Sequence, residues 1–111
     1  MHTNLDYLRK VTESNEDMMK DLIVIFKDQS LQLMDQLTGA LQNKDWEAVA
    51  QLAHKAKSNV AVMGMQEMAD ELKKLELWAR EQKNTEEYEK IIKKYKLVTQ
   101  EALNELKEYL I

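Results

Sequence analysis

A chain of 111 residues with 44% hydrophobic and 32% charged side chains can close one self-sufficient core and is too apolar to stay disordered. Its net charge of −4 excludes the clustered cations of a nucleic-acid footprint, and the absence of cysteine excludes disulfides and thiolate zinc sites. The longest apolar run, Leu22 to Phe26, falls far short of the roughly 20 residues of a membrane span, so one soluble, cytoplasmic domain over residues 1–111, without membrane contact, is expected.

There is no proline, and Gly39 and Gly64 are the only glycines; the dominant residues are those that lose little rotamer freedom in a helix. Leu5, Leu8 and Val11 form a brief stripe, predicting a short capping helix that needs the rest of the fold to be stable. Ser14 or Asn15 then offers an N-cap, with Glu16 and Asp17 at the positive end of the helix dipole. The long helix that follows carries Met19, Ile23, Phe26, Ser30, Leu33, Leu37 and Leu41 on one face. Ser30 interrupts that face, and a serine that bonds the backbone one turn back bends a helix, so a change of direction is expected near Gln29 to Leu31.

Asn43 to Asp45 closes this segment and Asp45 caps the next helix. Its inward stripe is Trp46, Val49, Ala53, Ala56, Val60 and Met63, stepping by three and four. Gly64 can end that helix in a left-handed conformation, and Met65, Met68, Leu72, Leu75 and Ala79 begin a fresh stripe. Asn84 or Thr85 is placed to cap the last helix, with Tyr88, Ile91, Tyr95, Val98, Ala102, Leu106 and Tyr109 inward and surface pairs Glu86 with Lys90 and Glu89 with Lys93 outward. Four main helices with short connections predict an all-α antiparallel four-helix bundle with a short N-terminal capping helix.

His54 is the side chain with chemistry near neutral pH in the body of the chain, since His2 sits close to an end where chains fray. At 100° per residue it falls roughly 135° from the centre of the inward stripe and so faces water. Ala50, Gln51, Lys57, Ser58 and Ala61 lie one turn or two away on that side. Most are small, leaving the imidazole edge open to a partner, while Lys57 offers a cation beside any phosphate attached there. From geometry alone His54 is equally an ordinary surface residue. No Glu-x-x-His pair, His pair or His-Cys cluster exists, so no metal is assigned, and no pocket supports a nucleophilic triad. The methionines at 18, 19, 63, 65 and 68 read as core filling ahead of an adaptable binding groove.

The run His54-Lys55-Ala56-Lys57-Ser58-Asn59-Val60-Ala61-Val62-Met63-Gly64-Met65 resembles the active helix of histidine-containing phosphotransfer (HPt) domains. The His, the Lys three later and the Gly ten later match, as do the apolar Met65 and the later pair Leu75-Glu76. Ala56 stands where the family often has Leu, and Ser58 where it often has Gly, a change that leaves a small residue beside the His. The resemblance implies that His54 takes a phosphoryl group on Nε2 from the aspartyl phosphate of a receiver domain, in a response regulator or hybrid histidine kinase, and passes it on. Under it Lys57 stabilises the phosphate, Gly64 makes the structural turn, and the partner supplies the catalytic metal. The protein itself is then a phosphoryl carrier rather than an enzyme, monomeric and without a cofactor. Met18, Leu22 and Ile25, with Ala50, Gln51, Ser58 and Ala61, are expected to contact the receiver. The competing reading is a helical adaptor that binds partners through an apolar groove and never carries phosphate.

Overall fold

The computed structural model describes residues 5–107, with side chains from residue 6 onward. His2 and Tyr109, and the side chain of Leu5, therefore lie outside the described residues. Five α-helices follow in order: α1 (Leu5–Val11), α2 (Glu16–Gln42), α3 (Trp46–Val62), α4 (Gln66–Glu81) and α5 (Tyr88–Glu105), the last preceded by a 3-10 turn over Thr85–Glu87. The bundle measures 42 × 22 × 20 Å, its long axis set by α2, whose 27 residues span about 40 Å at 1.5 Å per residue. Each long helix packs on its two neighbours, α2 on α3 and α5, and α4 on α3 and α5. This closes the four-helix ring with α1 as a cap.

The inward stripes meet in one core. Ile23, Leu37, Val49, Ala53, Ala56, Val60, Leu72, Leu75, Tyr95, Ala102 and Leu106 have no accessible surface, while Leu41 and Val98 are half-buried at its edge. Trp46 is also half-buried and packs edge-on against Tyr88, ring centroids 5.2 Å apart at 83°, tying the start of α3 to the start of α5. In α1, Leu8 is buried and Val11 is not: Val11 is exposed and Thr12 takes the inward place, its hydroxyl donating to the Leu8 carbonyl. Two turns of helix cannot bury a wider stripe against the end of a bundle.

Asn15 and Asp45 cap α2 and α3 as expected, their side chains accepting from the Met18 and Ala48 amides at 3.0 and 3.2 Å. Neither Asn84 nor Thr85 caps α5 through its side chain. Asn84 is left-handed at φ 54° and the chain winds through the 3-10 turn into α5 instead. Lys93 pairs with Glu89 at 3.0 Å, but Lys90 meets Glu87 at 3.6 Å, not Glu86. Helix α2 runs without interruption past Ser30. The Ser30 hydroxyl links two helices, accepting from Asn59 Nδ2 at 2.8 Å. Tyr95 and Thr99 of α5 add buried hydroxyls to the core, and burial pushes the Tyr95 hydroxyl far above its ordinary pKa.

The connections share one device. After α3, Gly64 adopts φ 71°, the Met65 amide donates to Val60 and the Gly64 amide to Ala61, the paired bonds of a Schellman turn. The same bond pairs close α1, α2 and α4, with Glu13, Lys44 and Gln82 in the left-handed place at φ 53°, 53° and 57°. Three of the four turns thus accept a side chain where glycine is the unstrained choice.

Candidate functional site

His54 sits at mid-length on α3, on the solvent face between α2 and α4, its side chain 55% exposed. Across the α3–α4 hairpin, α4 places Glu76 beneath it. Glu76 is buried although charged, and its two oxygens gather three partners. Oε1 lies 3.2 Å from His54 Nδ1 and 3.5 Å from Lys57 Nζ, and Oε2 accepts from Arg80 Nη2 at 2.7 Å.

Burial pushes the Glu76 carboxyl up, but the hydrogen bonds from His54 and Arg80 and the charges of His54 and Lys57 outweigh it and hold the group below its ordinary value. It is ionised at neutral pH, and an ionised carboxylate only accepts hydrogen bonds. Nδ1 of His54 must therefore carry the proton. In the neutral ring this leaves the lone pair on Nε2, the nitrogen turned away from Glu76.

On the α2 side of His54 runs an open groove of about 590 Å³. Its α2 wall includes Leu22, Ile25, Phe26, Gln29, Gln32 and Gln36, and its α3 wall His54, Lys55, Ser58, Asn59 and Val62. Ile25 is 49% exposed, and Met18, also 49% exposed, precedes Leu22 by one turn. The structure thus brings His54, Ser58, Leu22 and Ile25 together in one groove. It places Lys57 on the other flank with Glu76, leaves Gln51 exposed, and half-buries Ala61. Ala50 is corrected: at 3% exposure it belongs to the core, because α3 is covered by both α2 and α4 and its buried arc is wider than one stripe.

Sequence reasoning left out Glu76 as a site residue, along with Arg80, Lys55 and Asn59. A signal for Glu76 was present: a carboxylate inside the buried arc of α4, one turn after Leu72 and beside Leu75, has to find cations.

The chain matches the Hpt domain family over residues 21–110. It belongs to the Hpt family. The fold superposes on the crystal structure of histidine-containing phosphotransfer protein B from Pseudomonas aeruginosa PAO1, with a TM-score of 0.85 and 26% identity, over 96% of this chain and 92% of that one. No curated protein matches it. As an Hpt domain the chain acts in histidine phosphotransfer in two-component phosphorelay, as a phosphoryl carrier rather than a catalyst, and Hpt domains interact with receiver domains of response regulators and kinases. Among the described residues no helix is long and apolar enough to cross a membrane.

Proposed function

We propose that His54 is the phosphoacceptor of this Hpt domain and that it relays the phosphoryl group between receiver aspartates through Nε2. The observation that carries this reading is the Glu76 carboxylate at Nδ1, which fixes the tautomer and leaves Nε2 as the nucleophile, so no general base is needed. In the transfer the Nε2 lone pair forms the P–N bond while the P–O bond to the receiver aspartate breaks and its carboxylate leaves. The proton on Nδ1 stays in place. Positive charge builds on the ring, and Glu76 lies where that charge develops.

Lys57, which meets the same Glu76 oxygen as the imidazole, supplies a cation for the phosphoryl oxygens. In-line placement and a metal ion come from the acidic pocket of the receiver, while the bundle holds the nucleophile still. Leu22, Ile25 and Ser58, with Met18, Gln51 and Ala61 around them, form the face on which the receiver sits. In this reading the chain is a single helical unit that works as a monomer in the cytoplasm, and solution mass checks the oligomeric state.

The test is label transfer from a phosphorylated receiver. The parent acquires acid-labile, base-stable label and a His54→Gln variant acquires none. Label persisting in the variant removes the assignment to His54. Receiver binding with no label in the parent points instead to an adaptor that uses the same groove.

A further inference from the structure

The groove beside His54 has an unusual charge pattern. Helix α2 carries seven charged residues, Glu16, Asp17, Lys20, Asp21, Lys27, Asp28 and Asp35, and none of them lines the groove. Every residue that α2 contributes is neutral. Toward the start of α2 the groove is apolar, built from Leu22, Ile25 and Phe26, with Val62 on the α3 wall. Further along α2 it is bounded by Gln29, Gln32 and Gln36, with the buried Leu33 among them; the three glutamines are exposed and spaced three and four apart, so their amides form a rail about 10 Å long on one helix face. None of the three makes a hydrogen bond to another described residue. Their donors and acceptors are all available to a partner.

We infer that Gln29, Gln32 and Gln36 are specificity determinants for the docked receiver, selecting a partner surface that is apolar at one end and uncharged but hydrogen-bonding at the other. This rests on the reading of His54 as phosphoacceptor and of the groove as the receiver's seat, and it names the chemistry of the partner. A neutral amide can pair with a backbone group, a hydroxyl or another amide. A partner ammonium pressed against the rail loses water and gains no counter-charge, which penalises it, and a partner carboxylate finds only Lys55 on the opposite wall. A partner that offers only apolar groups there leaves the amides desolvated and unpaired, which also costs affinity. Recognition is therefore set by neutral contacts, and Lys55 is the one fixed cation among the groove residues.

The experiment compares the parent with the triple variant Gln29→Ala, Gln32→Ala, Gln36→Ala. These exposed helix positions accept alanine without loss of helix. Two phosphoryl donors are used, the small donor phosphoramidate, which needs no docking, and a panel of phosphorylated receiver domains. Labelling of His54 by phosphoramidate is expected to be unchanged, while kcat/KM from the preferred receiver falls at least about tenfold and the spread between receivers narrows. KM of the parent for that receiver is expected to change by less than about threefold between 50 and 500 mM salt, a range that screens surface charge. Undiminished transfer by the triple variant, or a parent KM that rises more than about tenfold with salt, overturns the inference while leaving His54 in place. A parent that no donor labels overturns the proposed function itself and this inference with it.

Discussion

Replacing Glu76 by Gln tests the site and the fold together. The change keeps the shape of the side chain and removes one negative charge from beneath His54, Lys57 and Arg80. At 3.5 Å and an effective dielectric of about 20, a unit charge pair carries about 5 kcal/mol before desolvation. The Lys57 and Arg80 side chains are 28% and 57% exposed, so solvent screening reduces each pair to about 1 kcal/mol. Burying the carboxylate takes back part of that sum, and the expected loss of stability at pH 7 is about 1–2 kcal/mol. The pH dependence gives the stricter check. A carboxyl held below its ordinary value contributes fully above its unfolded value near about 4.3 and loses that contribution as pH falls through the lowered folded value. Urea denaturation followed by circular dichroism should therefore show a gap between parent and variant at pH 7 that closes in acid below about pH 4. The variant should also accept phosphate about tenfold more slowly, the worth of roughly 1.4 kcal/mol when a charge-assisted bond becomes a neutral one. A gap that is the same at pH 7 and pH 3, or that widens in acid, refutes the role given to the charge.

Three further outcomes follow from the same structure. Lys44→Gly relieves a left-handed lysine at φ 53° and should raise stability by about 0.5–1 kcal/mol after the entropy of the added glycine, read as a higher urea midpoint with unchanged slope. Ser30→Ala removes the acceptor of the buried Asn59 amide and should cost about 1–3 kcal/mol; a double-mutant cycle with Asn59→Ala that shows no coupling would discount the bond. Lys57→Ala should leave stability within about 1 kcal/mol, given a partly exposed ion pair, yet slow phosphoryl transfer by about tenfold, and an unchanged transfer rate would remove Lys57 from the site.

The helices were legible because burial imposes a period of 3.6, and stripes such as Met65, Met68, Leu72, Leu75 and Ala79 fit that period and not the alternation of a strand. Gly64, Asn15 and Asp45 were legible because a backbone conformation or an orphan amide asks for those residue types. The other three Schellman turns were hidden: Glu13, Lys44 and Gln82 are ordinary residues forced left-handed by the helices on either side. The exposure of His54 followed from its angle on one helix. Its link to Glu76 did not, since no periodicity relates residues on facing helices. The bond between Ser30 and Asn59 was hidden for the same reason, its partners lying on α2 and α3. Ala50 misled because a wheel centred on one stripe underestimates the buried arc of a helix that has two neighbours.

Because His54 and Glu76 occupy the two arms of a single hairpin turned at Gly64, the nucleophile and its anchor are only 22 residues apart in the chain. Closing a loop of that length costs less entropy than joining helices from opposite ends of the chain. Histidine, lysine, carboxylate and arginine thus travel as one cassette within α3 and α4. The exposed face of α2 lies outside it, so substitutions there can change which receivers dock while the reacting nitrogen stays where it is.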